Sequence, residues 1–102
     1  MGIQDIFNPA GVESIGQAVS TMYNIAASTV VKAGVGRLAR VSVITAGAAG
    51  TVNDCATVGA AAIGNQIGVI PATVGIYYFD WPYFNGLTYV LGAGQVIAVS
   101  YI

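Results

Sequence analysis

Residues 75–101 read Gly-Ile-Tyr-Tyr-Phe-Asp-Trp-Pro-Tyr-Phe-Asn-Gly-Leu-Thr-Tyr-Val-Leu-Gly-Ala-Gly-Gln-Val-Ile-Ala-Val-Ser-Tyr. The stretch holds the only Trp of the chain and five of its six Tyr. Asn85-Gly86 sits between two runs rich in aromatic and β-branched residues. An Asn-Gly pair tolerates positive φ at both central positions, which suits the tight turn of a twisted two-strand ribbon. The pattern predicts a hairpin of 75–84 and 87–91, with a third strand at 95–101 behind the Gly92-Ala93-Gly94 turn. No feature of the stretch resembles a reaction centre.

Working outward, turn signals recur roughly every 8 to 12 residues from Gly34 onward, the spacing of a small sandwich or barrel of antiparallel strands. Residues 28–36 read as a short strand and a glycine turn. Residues 37–46 read as a longer strand, with Ala39, Val41, Val43 and Thr45 on one face and Leu38, Arg40, Ser42 and Ile44 on the other. Gly47–Gly50 is a turn, and 51–57 is a short strand with Asp54 near its centre. Residues 58–65 read as a loop. Gln66–Ile70 is a strand stopped by Pro71, which cannot donate to a ladder. In 75–81, Tyr77, Phe79 and Trp81 share one face, and Ile76, Tyr78 and Asp80 the other. One set must be core. Tyr77, Tyr78, Trp81, Tyr83, Phe84 and Tyr89 could also offer a stacking platform for sugars, since aromatic rings have an apolar face and Tyr and Trp a polar handle.

Upstream the period changes. Val12, Ile15, Val19, Met22, Tyr23 and Ala26 recur at spacings of three and four, which predicts an amphipathic helix within 11–27. Glu13 stands in its first turn, where the helix dipole favours a carboxylate. Residues 1–9 read as an irregular lead-in ending at Asn8-Pro9, a turn signal. The expected organisation is an N-terminal arm and helix over residues 1–30 and a β-domain over 31–102. The fold class is mainly β: a small antiparallel, jelly-roll-like sandwich or barrel with one N-terminal helix.

Composition narrows the function. The 102 residues are 56% hydrophobic and 7% charged, against about 25% charged in average soluble domains. Large apolar patches on a protein mark contacts, so neighbouring chains or a membrane are expected to cover part of this one. Two-sided apolarity in 95–101, where Ile97, Val99 and Tyr101 oppose Val96 and Ala98, points the same way. A net charge of −1 lacks the basic stripe of a nucleic-acid binder. A chain with one Cys and no His has neither an internal disulfide nor a multi-Cys metal site, and no His-based triad. Cys55 reads as a buried, inert thiol. Residues 55–79 carry no charge and are long enough to span a bilayer. Their Gly, Pro71, Val and Ile suit strands and turns better. No secretory signal is expected from Met-Gly-Ile-Gln-Asp, and Ile6 breaks a myristoylation motif.

Candidate chemistry is sparse. Asp54 and Asp80 could form a carboxylate pair, but turn and hairpin roles are the simpler reading. Lys32, Arg37 and Arg40 fit edge or boundary charges, and Arg37 and Arg40 are expected to pair with Asp54 or Asp80. Gly34-Val35-Gly36 and Gly92-Ala93-Gly94 lack the following helix and Lys of a phosphate loop. No enzyme, metal or cofactor is expected.

Five pieces carry a resemblance: Gly-Arg-Leu-Ala-Arg-Val-Ser-Val (36–43), Gly-Thr-Val-Asn-Asp (50–54), Ile-Pro-Ala-Thr-Val-Gly-Ile-Tyr (70–77), Trp-Pro-Tyr-Phe-Asn-Gly-Leu (81–87) and Gly-Ala-Gly-Gln-Val (92–96). Together they resemble small virion proteins of tailed bacteriophages, of the head decoration, cement or head-fibre type. The resemblance implies a β-sandwich that trimerises on the outside of a capsid and locks neighbouring major-capsid subunits. No catalytic residues carry over. The expected contact residues are Val12, Ile15, Val19, Met22, Tyr23, Arg37, Arg40, Tyr78, Trp81, Tyr83 and Phe84. The expected partners are sister copies and the major capsid protein, with neither nucleic acid nor membrane, and the expected location is the virion surface. A receptor- or glycan-binding fibre module is the alternative, and a small holin-like membrane protein the third reading.

Overall fold

A computed structural model describes residues 20–102. Eight strands run in chain order: β1 (Ser20–Ile25), β2 (Thr29–Ala33), β3 (Gly36–Thr45), β4 (Gly50–Asp54), β5 (Gln66–Ile70), β6 (Gly75–Tyr83), β7 (Gly86–Val90) and β8 (Val96–Tyr101). Between β4 and β5 lie two short 3-10 turns, Val58–Ala60 and Ile63–Asn65. The strands form two antiparallel four-stranded sheets, ordered β1-β8-β3-β6 and β2-β7-β4-β5. Only β4 and β5 are both consecutive in the chain and paired. Every other connection except β4–β5 crosses from one sheet to the other.

The core lies between the sheets. Leu38, Val41 and Val43 of β3 and Ile97 and Val99 of β8 face Val52, Ile70, Leu87 and Tyr89 of the opposite sheet. All nine are buried. Alternation along β3 is broken by an irregularity between Leu38 and Arg40. A bulge of this kind turns the chain by one side-chain position. Leu38 therefore joins Val41 and Val43 inside, instead of sharing an outward face with Arg40 and Ser42 as strict period two predicts.

The predicted hairpin does not form. β6 pairs with β3, whereas β7 pairs with β2 and β4 in the other sheet. Neither Asn85 nor Gly86 takes positive φ, so the turn geometry that a two-residue hairpin needs is absent. The pair instead carries the chain across the sandwich. Gly86 is required there for a different reason: a Cβ on it would collide with the Cys55 carbonyl. The strand at 95–101 likewise leaves β7 and pairs with β1 and β3.

The N-terminal expectation also changes. Residues 20–25 form strand β1, paired with β8, so the predicted helix does not extend through them; its earlier part lies outside the described residues. Asn24 takes φ 54°, a conformation Asn tolerates better than most residues. The register slips between Met22 and Ile25, and Ile25 reaches the core opposite Ile97. Both β1 and β2 belong to the sandwich, so a boundary at residue 30 falls inside β2. Residues 55–79 hold the 3-10 turns, β5 and part of β6, and no helix among the described residues is long and apolar enough to cross a membrane.

Candidate functional site

Two surfaces stand out. The first is the outer face of the β1-β8-β3-β6 sheet. Cross-strand partners place Thr21, Ser100, Arg40 and Tyr78 in one row across all four strands. Ala98, Ser42 and Ile76 form the next row. On the inner strands β8 and β3 this face carries the small Ser100, Ala98 and Ser42 together with the long Arg40, and the edge strand β6 adds Tyr78 and Ile76. Tyr78 is 76% exposed, Tyr23 73% and Ile76 59%. Arg40 lies over the Tyr78 ring, with its guanidinium carbon 5.7 Å from the ring centre, within cation–π range. A cleft of about 360 Å³ runs between Tyr23, Arg40 and Ile76, and a neighbouring one of about 340 Å³ between Arg40, Tyr78 and Asp80.

At the margin of this face Arg37 Nε donates to Asp80 Oδ1 at 2.9 Å. The expected Arg–Asp pairing is therefore made by Arg37 with Asp80, and Arg40 takes the aromatic partner instead. Asp80 occupies a positive-φ position, 47°, which offsets the alternation of β6 near its end.

The second surface is a cleft of about 420 Å³ beside the β6–β7 connection. Trp81 and Phe84 form its aromatic part, and Asp54, Asn65, Gln66 and Asn85 its polar part. Trp81 is 53% exposed and Phe84 67%. The polar wall is built by side chains that lock the backbone. Asp54 Oδ1 accepts the N–H groups of Asn85 (2.7 Å), Phe84 (3.0 Å) and Gly86 (3.2 Å), and its Oδ2 also accepts from Phe84 (3.0 Å). Burial raises the pKa of this carboxyl, but the three backbone donors outweigh it and leave the value below the ordinary 3.8. Hydrogen bonds to the ionised form favour that form. Asn65 donates to the Ala60 carbonyl (2.9 Å) and accepts from the Ala62 N–H (3.0 Å) and the Asn53 amide (2.9 Å).

Of the expected contact residues, Tyr23, Arg40 and Tyr78 meet on the sheet face, Arg37 stands at its margin, and Trp81 and Phe84 meet in the separate cleft. Met22 and Tyr23, placed on one stripe by helical spacing, part company in a strand: Met22 packs against the core and Tyr23 is exposed. Tyr83 is fully buried and donates to the Ile102 carbonyl at 2.6 Å; it belongs to the core and not to a contact surface. Val12, Ile15 and Val19 lie outside the described residues. Asp54 and Asp80 have separate partners, a turn and an arginine. Gln66 and Asn65 of the cleft, and Ile76 and Ser42 of the sheet face, were not among the expected residues. Ile76 and Ser42 were findable from period two, on the outward sides of β6 and β3; Asn65 carried only a loop signal.

Compared with protein families, curated proteins and solved structures, the chain matches none of them.

Proposed function

We propose that the chain is a structural virion protein that binds the outside of a bacteriophage head as a homotrimer and stabilises the shell. The observation that carries this reading is the exposed, nearly uncharged outer face of the β1-β8-β3-β6 sheet. Tyr and Arg are enriched in the anchoring residues of protein interfaces, and here Tyr23, Tyr78 and Arg40 stand beside Ser42, Ala98 and Ser100 around two shallow clefts. Contacts of this kind bury roughly 800 Å² on each partner, an area on the scale of one face of a small domain.

The strand order supports the same reading. Sheets ordered β1-β8-β3-β6 and β2-β7-β4-β5 support reading the double sheet as a jelly roll, two Greek keys wound together, an architecture common in capsid proteins. The mechanism is mass action: a subunit that binds only the assembled shell stabilises it by its binding free energy. Light scattering on the purified chain tests the trimer, and immunogold labelling of intact virions tests the location. Labels on the head surface are the expected result; a monomer in solution together with unlabelled heads would remove the proposal.

A further inference from the structure

We propose that the cleft between Trp81, Phe84 and Gln66 binds a neutral carbohydrate. Sugar recognition needs a flat apolar surface for the C–H face of a pyranose ring and fixed polar groups for its hydroxyls. The cleft has both. Trp81 and Phe84 expose their rings within it, and aromatic rings combine an apolar face with favourable contact to polarised C–H groups. Asp54 and Asn65 stand in the same cleft, each held by the backbone bonds already described. Groups ordered before the ligand arrives lose little freedom on binding, which favours affinity. Asp54 Oδ2 accepts from one described backbone group only, and a carboxylate oxygen has room for a further donor. A sugar hydroxyl is a donor of that kind. Gln66 and Asn85 add exposed amides, each with donors and an acceptor.

Charge selects within the class. Among the described residues, Asp54 is the only ionisable one lining the cleft, and its carboxyl is held in the ionised form. With no cation among the described lining residues, an acidic sugar would meet repulsion from Asp54, so the ligand class is neutral. This inference uses a different surface from the shell contact and does not depend on it.

The chain's only Trp lies in the cleft, so its fluorescence reports directly on occupancy. The purified full chain is titrated with cellotriose, maltotriose, triacetylchitotriose and, as an acidic comparison, trigalacturonate. The expected result is a saturable change of Trp81 emission with at least one neutral trisaccharide, at a dissociation constant on the order of millimolar. Phe84→Ala and Gln66→Ala, both exposed substitutions that keep Trp81, are expected to weaken that binding about tenfold. Trigalacturonate is expected to leave the emission unchanged. No change with any neutral sugar at roughly 20 mM, a change indifferent to both substitutions, or tighter binding of trigalacturonate would each overturn the proposal. Phe84→Ala should leave attachment to phage heads intact, so failure here and failure of the shell reading give different results.

Discussion

The carboxylate of Asp54, at the end of β4, accepts the backbone N–H of Asn85 at 2.7 Å across a separation of 31 residues. With Phe84 and Gly86 sharing the same acceptor, one side chain fixes the crossing from one sheet to the other. Asp54→Ala leaves three backbone donors without their acceptor and is expected to cost about 1–3 kcal/mol of stability. The pH dependence follows from the lowered pKa. In the unfolded chain the group titrates near 3.8, and in the folded chain below it. Its contribution is therefore complete above 3.8 and is lost as pH falls through the folded value. Acid titration of unfolding, followed by circular dichroism, should show wild type losing stability in that range and Asp54→Asn losing less.

Tyr89 presents the opposite case. Its hydroxyl is buried and has no hydrogen-bond partner among the described residues. A buried polar group without a partner is costly, so Tyr89→Phe is expected to leave stability unchanged or raise it by up to about 1 kcal/mol. Burial, and then the neighbouring Tyr83 and Tyr101, raise the Tyr89 pKa far above the ordinary 10.0. The unfolded chain ionises near 10.0 while the folded chain resists, so stability falls as pH rises past that point. Chemical denaturation at alkaline pH should find Tyr89→Phe less sensitive than wild type.

Gly86 has no conformational need for glycine, since its φ is not positive. The need is for space beside the Cys55 carbonyl. Gly86→Ala is expected to destabilise by about 1–3 kcal/mol, the usual range for overpacking. Urea denaturation would show it as a lower midpoint with an unchanged slope.

The Arg37–Asp80 pair is exposed on both sides. Exposed ion pairs contribute roughly 0–1 kcal/mol and weaken with salt. Arg37→Ala is therefore expected to change thermal stability little, and the difference from wild type should vanish in molar salt. A large, salt-independent loss would assign Arg37 a role beyond this pair.

Much of the strand content was legible. Gln66–Ile70 is bracketed by Gly64-Asn65 and Pro71, and its limits coincide with β5. The aromatic run ending near Tyr83, the run from Leu87 and the apolar 95–101 segment are strands at close to their expected limits. Pairing was not legible, because it depends on contacts distant in sequence. Asn85-Gly86 carries a local hairpin signal, yet Asp54 captures its N–H groups and the sandwich places β6 and β7 in different sheets. Residues 20–25 fit helical spacing because Met22, Tyr23 and Ala26 are apolar. Pairing with β8 and the left-handed backbone conformation of Asn24 within β1 outweigh that local pattern. The bulge before Arg40 likewise reassigns Leu38, and nothing in the alternation of residues 37–46 signals it. For the candidate surfaces, period two was enough to separate Tyr78 from Phe79. The meeting of Trp81 with Gln66 and Asn65 required the tertiary fold.

The sheet-face contact is tested most directly by co-sedimentation of the purified chain with assembled phage heads that lack it. Wild type should pellet with the heads to saturation. Tyr78→Ala combined with Ile76→Ser, two exposed changes expected to cost about 1 kcal/mol of stability or less each, should bind at least about tenfold more weakly. Wild type remaining in the supernatant, or the double variant pelleting as well as wild type, would contradict the account.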